Sequence, residues 1–380
     1  MSGGVKLKAC RPVAVVLILL VLTTLGPSIA SATPPSAPSK PADGPGRPLV
    51  LAHYYIWFTP ASWNRAKRDE PLIGRYSSDD IDVMKQHISQ ARSAGVDGFI
   101  VSWKSSPVLN QRLANLIRVA QEEHFKLAIT YQGLDFDRAP LPAPRIAADL
   151  KFFVDTYGAN PVFDIFGKPM VVLTGTPVMS KKTIARIGRP LQERLLLLAS
   201  DKNVESYNKI ADEVDGNLYY WSSVNPSTFD NYGRKLEDFG NAVRARGGIW
   251  VAPAAPGFDA RLVGGTSVVD RQDGETLRQE WGAASRSLPA AIGLISWNEF
   301  SENTQIEPSK LYGRRYLDVL ADLTGAPTPM APADSSEPSG TGSSARAIFA
   351  LAIMAGLVVV SLVILVRRSL RFPRAEKLLS

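Results

Sequence analysis

Cysteine is almost absent from this chain, since the only one among 380 residues is Cys10, near the amino terminus. The remainder can therefore have no disulfide framework, no cysteine nucleophile and no cysteine-ligated zinc or iron–sulfur cluster. Histidine is nearly as scarce: only His53, His87 and His124 occur, and there is no HExxH pair. This scarcity argues against a Ser-His-Asp hydrolase and against a histidine-rich metal site. We expect neither a metal nor any other cofactor.

The body of the chain also lacks an excess of charge of one sign. Three basic residues in the first dozen and five in the last fourteen, opposed there only by Glu376, account for the net charge of +7. The remainder contains 35 basic and 35 acidic residues. Nucleic-acid-binding proteins carry their basic excess on the binding domain, so the neutral body argues against a nucleic-acid partner. A hydrophobic fraction of 45% excludes a mainly disordered chain.

The amino-terminal segment has the pattern of a secretory signal peptide. Residues 1–32 join a basic start to an apolar run at 13–25 and then to small residues that end at Ala32. The apolar run is short for a membrane span, although an uncleaved anchor is the alternative. Cys10 precedes the apolar run, whereas a lipidated cysteine would follow it.

The carboxyl-terminal segment is typical of a membrane anchor. Residues 347–366 carry no charge and are numerous enough to cross a bilayer as a helix. The basic tail at 367–380 follows at once, and the positive-inside rule places it in the cytoplasm. A GPI signal fits less well because it would not end in a basic tail. We expect a single-pass type I membrane protein with its body outside the cell.

Two stretches rich in Pro, Ser, Gly and Ala join the body to these ends. The linker at 33–48 and the stalk at 327–346 contain too few apolar residues to compensate for the entropy lost on ordering. The predicted folded body is therefore 49–326, which is one domain by its length.

Short apolar runs alternate with helical patterns eight times in this body. We expect strands at Leu49–Tyr55, Val96–Trp103, Lys126–Tyr131, Pro169–Leu173, Leu195–Ala199, Asn217–Trp221, Gly248–Pro253 and Ala291–Trp297. We expect the first helix between a capping box at 77–80 and Gly95, and the second around 109–120. The other six are expected at 145–157, 180–189, 203–214, 227–246, 273–287 and 309–324. This alternation predicts an α/β fold, a single (β/α)₈ TIM-type barrel. A doubly wound open sheet is the alternative, but no glycine-rich phosphate fingerprint follows any strand.

The expected strand ends carry aromatic, amide and charged side chains, which suit the faces and hydroxyls of sugars. Active sites of such barrels lie where strands end and loops begin. The candidate substrate-binding residues are Tyr54, Tyr55, Trp57, Trp103, Tyr131, Gln132, Trp221, Asp259, Arg261, Trp297, Asn298 and Gln305. Any single ring could instead serve in packing, but their clustering predicts a polysaccharide or glycan partner.

Glu299 and Glu302 are the candidate catalytic residues. They follow the last apolar strand three residues apart. Two close carboxylates do not both ionise readily, so one can hold a proton and act as the acid while the other stays charged. Glycoside hydrolysis requires that division of roles. The alternative is an exposed turn with incidental acids, and Glu307 could either bind a hydroxyl or cap the following helix.

The segment ISWNEFSENTQIEPS at 295–309 resembles the WNEWHEGTQIEP-type signature of glycoside hydrolase family 99, the endo-α-mannosidase and endo-α-mannanase family. Weaker similarity is carried by AHYYIWF at 52–58, GVDGFIVSW at 95–103 and APGFDAR at 255–261. The resemblance implies a retaining, endo-acting α-glycosidase on a (β/α)₈ barrel without a metal. It also implies that Glu299 engages the sugar 2-hydroxyl through a 1,2-anhydro-sugar intermediate and that Glu302 is the acid/base.

The sequence departs from that signature at several positions. Phe300, Ser301 and Asn303 replace a tryptophan, a histidine and a glycine, and Ile56 replaces a proline of the first strand. Where the family has an acidic residue on strand three, this chain has Tyr131-Gln132. The reaction class is still implied, but the preference for mannose is not. Family 71 α-1,3-glucanases, with a similar WND-x-x-E strand end, are the nearest rival, and an inactive glycan-binding or polysaccharide-export accessory protein is the alternative outside the enzymes.

Overall fold

Parallel strands close into a barrel in the computed structural model, which describes residues 47–327. The strands are β1 (Leu49–Tyr55), β2 (Gly98–Trp103), β3 (Lys126–Tyr131), β4 (Met170–Leu173), β5 (Leu196–Ala199), β6 (Gly216–Leu218), β7 (Ile249–Ala254), β8 (Phe258–Asp259), β9 (Val268–Val269) and β10 (Ala291–Leu294). β8 and β9 form an antiparallel ribbon after β7, and the other eight make the barrel, which β1 closes by pairing with β2 and β10.

Eight α-helices alternate with the barrel strands along the described part of the chain. They are α1 (Ile81–Ser93), α2 (Pro107–Glu122), α3 (Ala143–Thr156), α4 (Lys181–Gly188), α5 (Val204–Ile210), α6 (Tyr232–Arg244), α7 (Glu275–Arg286) and α8 (Arg315–Thr324). The predicted (β/α)₈ barrel is therefore confirmed.

Local residues explain where several elements begin and end. Asp80 caps α1, since its carboxylate accepts hydrogen bonds from the amides of Asp82 and Val83. Asn231 has a left-handed backbone, with φ at 61°, so α6 begins later than the predicted residue 227. β10 stops before the predicted Trp297 because the Ser296 amide donates to the Thr304 carbonyl at 2.9 Å. The chain leaves the barrel there and enters the loop that carries both glutamates.

Side chains of each strand alternate between the barrel interior and the surrounding helices. In β1, Ala52 and Tyr54 pack against the helix layer, Leu51 belongs to the interior, and His53 and Tyr55 line a cavity. The apolar interior is filled by Leu51, Ile100, Ala128, Met170, Val172, Leu196, Leu198, Leu218, Val251 and Ala291. This packed interior closes the barrel and leaves the strand ends to form the site.

The terminal segments predicted from sequence are not part of this description. Five predicted segments lie wholly or mostly outside the described residues. They are the signal peptide at 1–32, the linker at 33–48 up to residue 46, most of the stalk at 327–346, the span at 347–366 and the tail at 367–380. Within residues 47–327, no helix combines the length and apolar composition that a bilayer crossing requires.

Candidate active site

A cavity of about 500 Å³ opens at the carboxyl ends of the barrel strands, and both Glu299 and Glu302 line it. Its other lining residues come from β1 to β6 and the loops after them. They are His53, Tyr55, Trp57, Ser102, Thr130, Gln132, Leu134, Asp135, Arg138, Val172, Thr174, Gly175, Pro177, Val178, Ser200, Lys202, Leu218 and Tyr220. This catalytic cavity has the position and the mixture of apolar and polar groups expected of a ligand site in this fold.

Glu299 lies deep in the cavity wall, with 5% of its surface exposed. Its amide donates to the Ser296 hydroxyl at 2.8 Å, and its carboxylate accepts from the Ser301 amide at 2.9 Å. Burial, and then the negative charge of Glu302, raise the pKa of Glu299 from 4.5 to about 7. A carboxyl with such a pKa can take up or release a proton near neutral pH.

Glu302 is partly exposed, unlike the buried Glu299. Burial raises its pKa, and the positive charge of Arg138 partly opposes that rise. The carbonyl of Glu302 accepts from the Asp259 amide at 2.8 Å, so the β8–β9 ribbon supports the loop from outside. The two carboxyls thus occupy one cavity in environments of different depth, which suits different roles.

A buried arginine holds the far side of the same loop. The Arg271 guanidinium donates to the carbonyls of Asn303 and Gln305, each at 2.9 Å. It lies between the rings of Tyr312 and Tyr316, with 4.4 Å to each ring centroid. Burial lowers the pKa of Arg271 below its ordinary value. The loop backbone after Glu302 is therefore fixed by a group that contacts no part of the cavity.

Aromatic and amide side chains line the same cavity as the glutamates. The Tyr55 and Tyr220 hydroxyls are 3.0 Å apart, and the His53 ring meets Tyr220 edge-on at 4.9 Å. Burial lowers the pKa of His53 to about 3, so this imidazole is neutral at physiological pH. The Gln132 amide donates to the Ser102 hydroxyl at 2.8 Å. These groups can donate hydrogen bonds to sugar hydroxyls and accept them.

The structure brings part of the predicted set together. Tyr55, Trp57 and Gln132 line the catalytic cavity with the two glutamates. Trp221 lines a second cavity beside it, where the ammonium of Lys235 lies 5.5 Å from its ring centroid.

Four predicted aromatic residues require a correction, because their side chains are buried away from the cavity. These residues are Tyr54, Trp103, Tyr131 and Trp297. The Tyr54 hydroxyl meets His87 Nδ1 at 3.0 Å, and the Tyr131 hydroxyl donates to Asp149 at 2.8 Å. The structure assigns all four to packing between the barrel and its helices.

The remaining predicted residues hold the loops in place and do not line the cavity. Asn298 is buried and bonds to the backbone of Tyr55. Gln305 is also buried and donates to Asp69 at 3.1 Å. Asp259 and Arg261 pair with each other through two hydrogen bonds of 3.0 and 2.7 Å, which lower the pKa of Asp259 to about 2.

Glu307 neither binds in the cavity nor caps a helix. It is buried, its carboxylate accepts from the Tyr76 hydroxyl at 2.9 Å, and its other oxygen lies 3.2 Å from His87 Nε2. The following helix, α8, begins at Arg315 with Arg314 at its N-cap position. Both expectations for Glu307 are therefore wrong.

Several cavity residues were missing from the predicted set. They are His53, Ser102, Thr130, Asp135, Arg138, Thr174, Ser200, Lys202 and Tyr220. Strand alternation was the available signal, because Ser102, Thr130 and Tyr220 each neighbour a predicted aromatic that points the other way. No group of three or more histidine, cysteine, aspartate or glutamate side chains within residues 47–327 could hold a metal ion.

A sequence model described as glycosyl hydrolase family 99 matches residues 67–323. The glycoprotein endo-alpha-1,2-mannosidase of Rattus norvegicus is 22% identical over 278 residues, which are 65% of this chain and 59% of that protein. A glycoprotein endo-alpha-1,2-mannosidase-like protein of Danio rerio is 24% identical over 277 residues, 65% of this chain and 61% of the relative. The match thus spans less than two thirds of the length of these curated relatives.

Solved structures share the fold. The GH99 endo-alpha-mannosidase from Bacteroides thetaiotaomicron superposes with a TM-score of 0.64 at 19% identity, and the match covers 73% of this chain and 96% of that one. A structure described as a glycoside hydrolase-like protein superposes with a TM-score of 0.57 at 18% identity, covering 77% and 97% of the two chains. At such identities the likeness concerns the barrel itself.

Proposed function

The chain belongs to glycosyl hydrolase family 99, and from this premise we propose that it is a retaining, metal-independent glycoside hydrolase of α-linked, mannan-like polysaccharide or glycan. The observation that carries the proposal is the position of Glu299 and Glu302, which line one cavity at the carboxyl ends of the barrel strands. Paired carboxyls with distinct environments are what glycosidic cleavage requires.

In the proposed first step, Glu299 takes the proton of the sugar 2-hydroxyl, and the freed oxygen attacks the anomeric carbon of the same ring. Glu302 gives its proton to the departing glycosidic oxygen, and a 1,2-anhydro sugar remains. The pKa of Glu299, raised to about 7, supports its role as a base, because a base is most effective when its pKa lies near the working pH.

In the second step, Glu302, now ionised, takes a proton from water, and that water attacks the anomeric carbon. The three-membered ring opens, and Glu299 returns its proton to the 2-oxygen. Two successive inversions leave the configuration at the anomeric carbon unchanged. The partial exposure of Glu302 and its place on the lining of the cavity support its contact with both the leaving group and water.

We propose further that the enzyme acts outside the cell. The signal-like segment at 1–32, the uncharged stretch at 347–366 and the basic tail at 367–380 support a type I anchor with the barrel on the outer side. The substrate would then be a polymer or glycan at or beyond the cell surface.

The test is a substrate screen with the full chain purified in detergent. α-Mannans and α-glucans of defined linkage are incubated with the protein, and product anomers are followed by NMR from the first minutes. We expect cleavage within an α-mannan chain with retention. Cleavage of α-1,3-glucan alone would transfer the assignment to the rival substrate, and no cleavage of any α-glycan would overturn it.

A further inference from the structure

A second cavity, of about 470 Å³, lies beside the catalytic cavity and shares Lys202, Tyr220 and Glu302 with it. Glu302 thus belongs to the wall between the two spaces. If Glu302 protonates the departing oxygen, as in the proposed function on which this inference rests, the sugar that leaves occupies the second cavity. The residues of this cavity therefore select the leaving-group side of the substrate.

Two lysines give the second cavity a positive wall. Lys202 and Lys235 both line it, and Glu302 is its only acidic lining residue. Within residues 47–327, neither lysine forms an ion pair, whereas nineteen ion pairs involve other lysine or arginine side chains. Arg138, on the wall of the catalytic cavity, is also without an ion pair in the described part of the chain.

Lys235 is held in place. Its ammonium lies 5.5 Å from the Trp221 ring centroid and 5.9 Å from that of Tyr219, and the side chain is half-buried. Trp221 itself packs against Phe229 and Tyr232. The ring that the sequence suggested as a sugar-stacking platform thus supports a cation at the cavity wall.

The stability of α6 does not account for this charge. Arg234 and Lys235 lie in the first turn of α6, which contains no acidic residue. The positive end of a helix disfavours cations, so both positions cost local stability. Lys235 also lines a separate groove that contains Glu205, Asp230 and Asp238. None of these three carboxylates forms an ion pair with Lys235, and Glu205 pairs with Lys209 instead. Residues that break a local rule in this way are expected at functional positions.

We propose that the second cavity binds an anionic group, a uronate carboxylate or a phosphate ester, on the leaving-group sugar of the substrate. Lys202 and Lys235 donate charge-assisted hydrogen bonds to this group. A neutral sugar offers no opposite charge to the two ammonium groups of this wall, whereas an anionic group does. The enzyme therefore prefers acidic glycans to neutral ones of the same linkage.

The experiment compares three α-linked mannooligosaccharides that differ only at C6 of the leaving-group residue, which carries a hydroxyl, a carboxylate or a phosphate. We expect the full chain to show a higher kcat/KM for at least one of the two acidic substrates than for the neutral one. The comparison of the carboxylate substrate with the phosphate substrate identifies which anionic group the second cavity prefers. Lys202→Ala and Lys235→Ala should each lower the acidic-to-neutral ratio, and the double variant by about tenfold.

Lys235→Arg should keep the preference, because it keeps the charge. Lys182→Ala, which removes an exposed lysine of α4 that lines neither cavity, should leave the ratio unchanged. Salt at 0.5 M (about 4 Å of screening length) should weaken the preference. Equal kcat/KM for all three substrates, or a ratio that both lysine variants leave intact, would overturn the inference while leaving the hydrolase assignment in place.

Titration calorimetry with the Glu299→Gln variant measures the binding of the oligosaccharides and so tests the anionic site independently of cleavage. If no substrate is cleaved, tighter binding of an acidic oligosaccharide than of the neutral one still supports the anionic site, and equal binding overturns it.

Discussion

The side-chain amide of Asn298 forms two hydrogen bonds with the backbone of Tyr55: the Tyr55 amide donates to Oδ1 at 2.8 Å, and Nδ2 donates to the Tyr55 carbonyl at 3.0 Å. This pair joins the chain just after β10 to the end of β1, beyond Ala52 and Leu294, the last residues that pair in the two strands. Nδ2 also lies 3.3 Å from the Tyr76 hydroxyl, which donates to Glu307. The residue next to Glu299 is therefore fixed from two sides.

We expect Asn298→Ala to lower both stability and turnover. The change leaves a buried amide and a buried carbonyl of Tyr55 unpaired, which costs about 1–3 kcal/mol for each group. Unfolding in urea measures the stability, and kcat on an α-mannan measures the catalytic effect. Asn241→Ala, at an exposed position of α6, is the control and should change stability by less than about 0.5 kcal/mol. A stable Asn298→Ala variant with unchanged kcat would contradict the positioning role.

The alternation of strands and helices made the barrel predictable, but not which strand residues face its interior. Ile100 and Val101 are both apolar because a parallel strand is covered on both faces, so hydrophobicity does not reveal the direction of Ser102 or Trp103. Its large ring made Trp103 the predicted sugar-binding residue of this strand. Ile100 faces the barrel interior, however, and Ser102, two residues later, faces the same way and lines the cavity. A shift of one residue in this alternation moves every side chain of the strand to the opposite face of the sheet.

The cavity residues on loops depend on contacts that sequence patterns do not contain. Arg138 lies in a loop closed by the bridge between Leu134 and Pro140. The Asp135 carboxylate accepts from the amides of residues 137 and 139, and Arg138 itself has a left-handed backbone, with φ at 64°. The glutamate pair was predictable because both residues lie in the loop after β10, at the carboxyl end of a barrel strand, where active sites of this fold are found.

The catalytic pair has a direct test in Glu299→Gln and Glu302→Gln. Each change keeps the shape of the side chain and removes its proton transfer, so we expect turnover to fall by about 10²–10⁴-fold without loss of the fold. With a substrate whose leaving group needs little protonation, Glu302→Gln should recover much of its activity, whereas Glu299→Gln should not.

Glu205→Gln serves as the matched control for this pair, since Glu205 is exposed on α5 and outside the catalytic cavity. It should retain full activity. Circular dichroism confirms folding of all three variants. Near-normal turnover of both the Glu299 and Glu302 variants would remove the catalytic assignment from this loop.

The predicted topology has a test in intact cells. If the span at 347–366 anchors the chain with its body outside, added protease should release a soluble fragment cut within the stalk at 327–346, since that stretch is rich in Pro, Ser and Gly. Mass spectrometry of the fragment locates the cut. Protection of the body, together with cleavage of the tail at 367–380 from outside, would show the opposite orientation.

The pH dependence of activity follows from the two carboxyls. The proposed active form holds one proton on the pair, with Glu302 protonated and Glu299 ionised. The two carboxyls titrate as a pair, so the pH at which this one proton is lost belongs to the pair and not to one residue. Burial and the charge of Glu302 raise the pKa of Glu299 to about 7, and the pair therefore loses its last proton near pH 7. We therefore expect kcat/KM to fall about tenfold for each pH unit above that value. A profile measured from pH 4 to 9 that still rises at pH 8 would contradict this assignment.

The pH dependence of stability tests the same carboxyl independently of any substrate. The folded protein holds the Glu299 proton more tightly than the unfolded chain, since the pKa rises from 4.5 to about 7 on folding. The stability from this tighter proton binding is complete below pH 4.5 and is lost as the pH rises through 7, because the folded protein must then bury a charge. The loss amounts to roughly 3 kcal/mol.

Glu299→Gln carries no charge at any pH, so its free energy of unfolding should exceed that of the wild type by more at pH 8 than at pH 4. Urea unfolding of both proteins at several pH values measures the difference, with Glu205→Gln as the control. A difference that stays constant from pH 4 to pH 8 would mean that Glu299 titrates like an exposed carboxyl and is a poor base for the proposed first step.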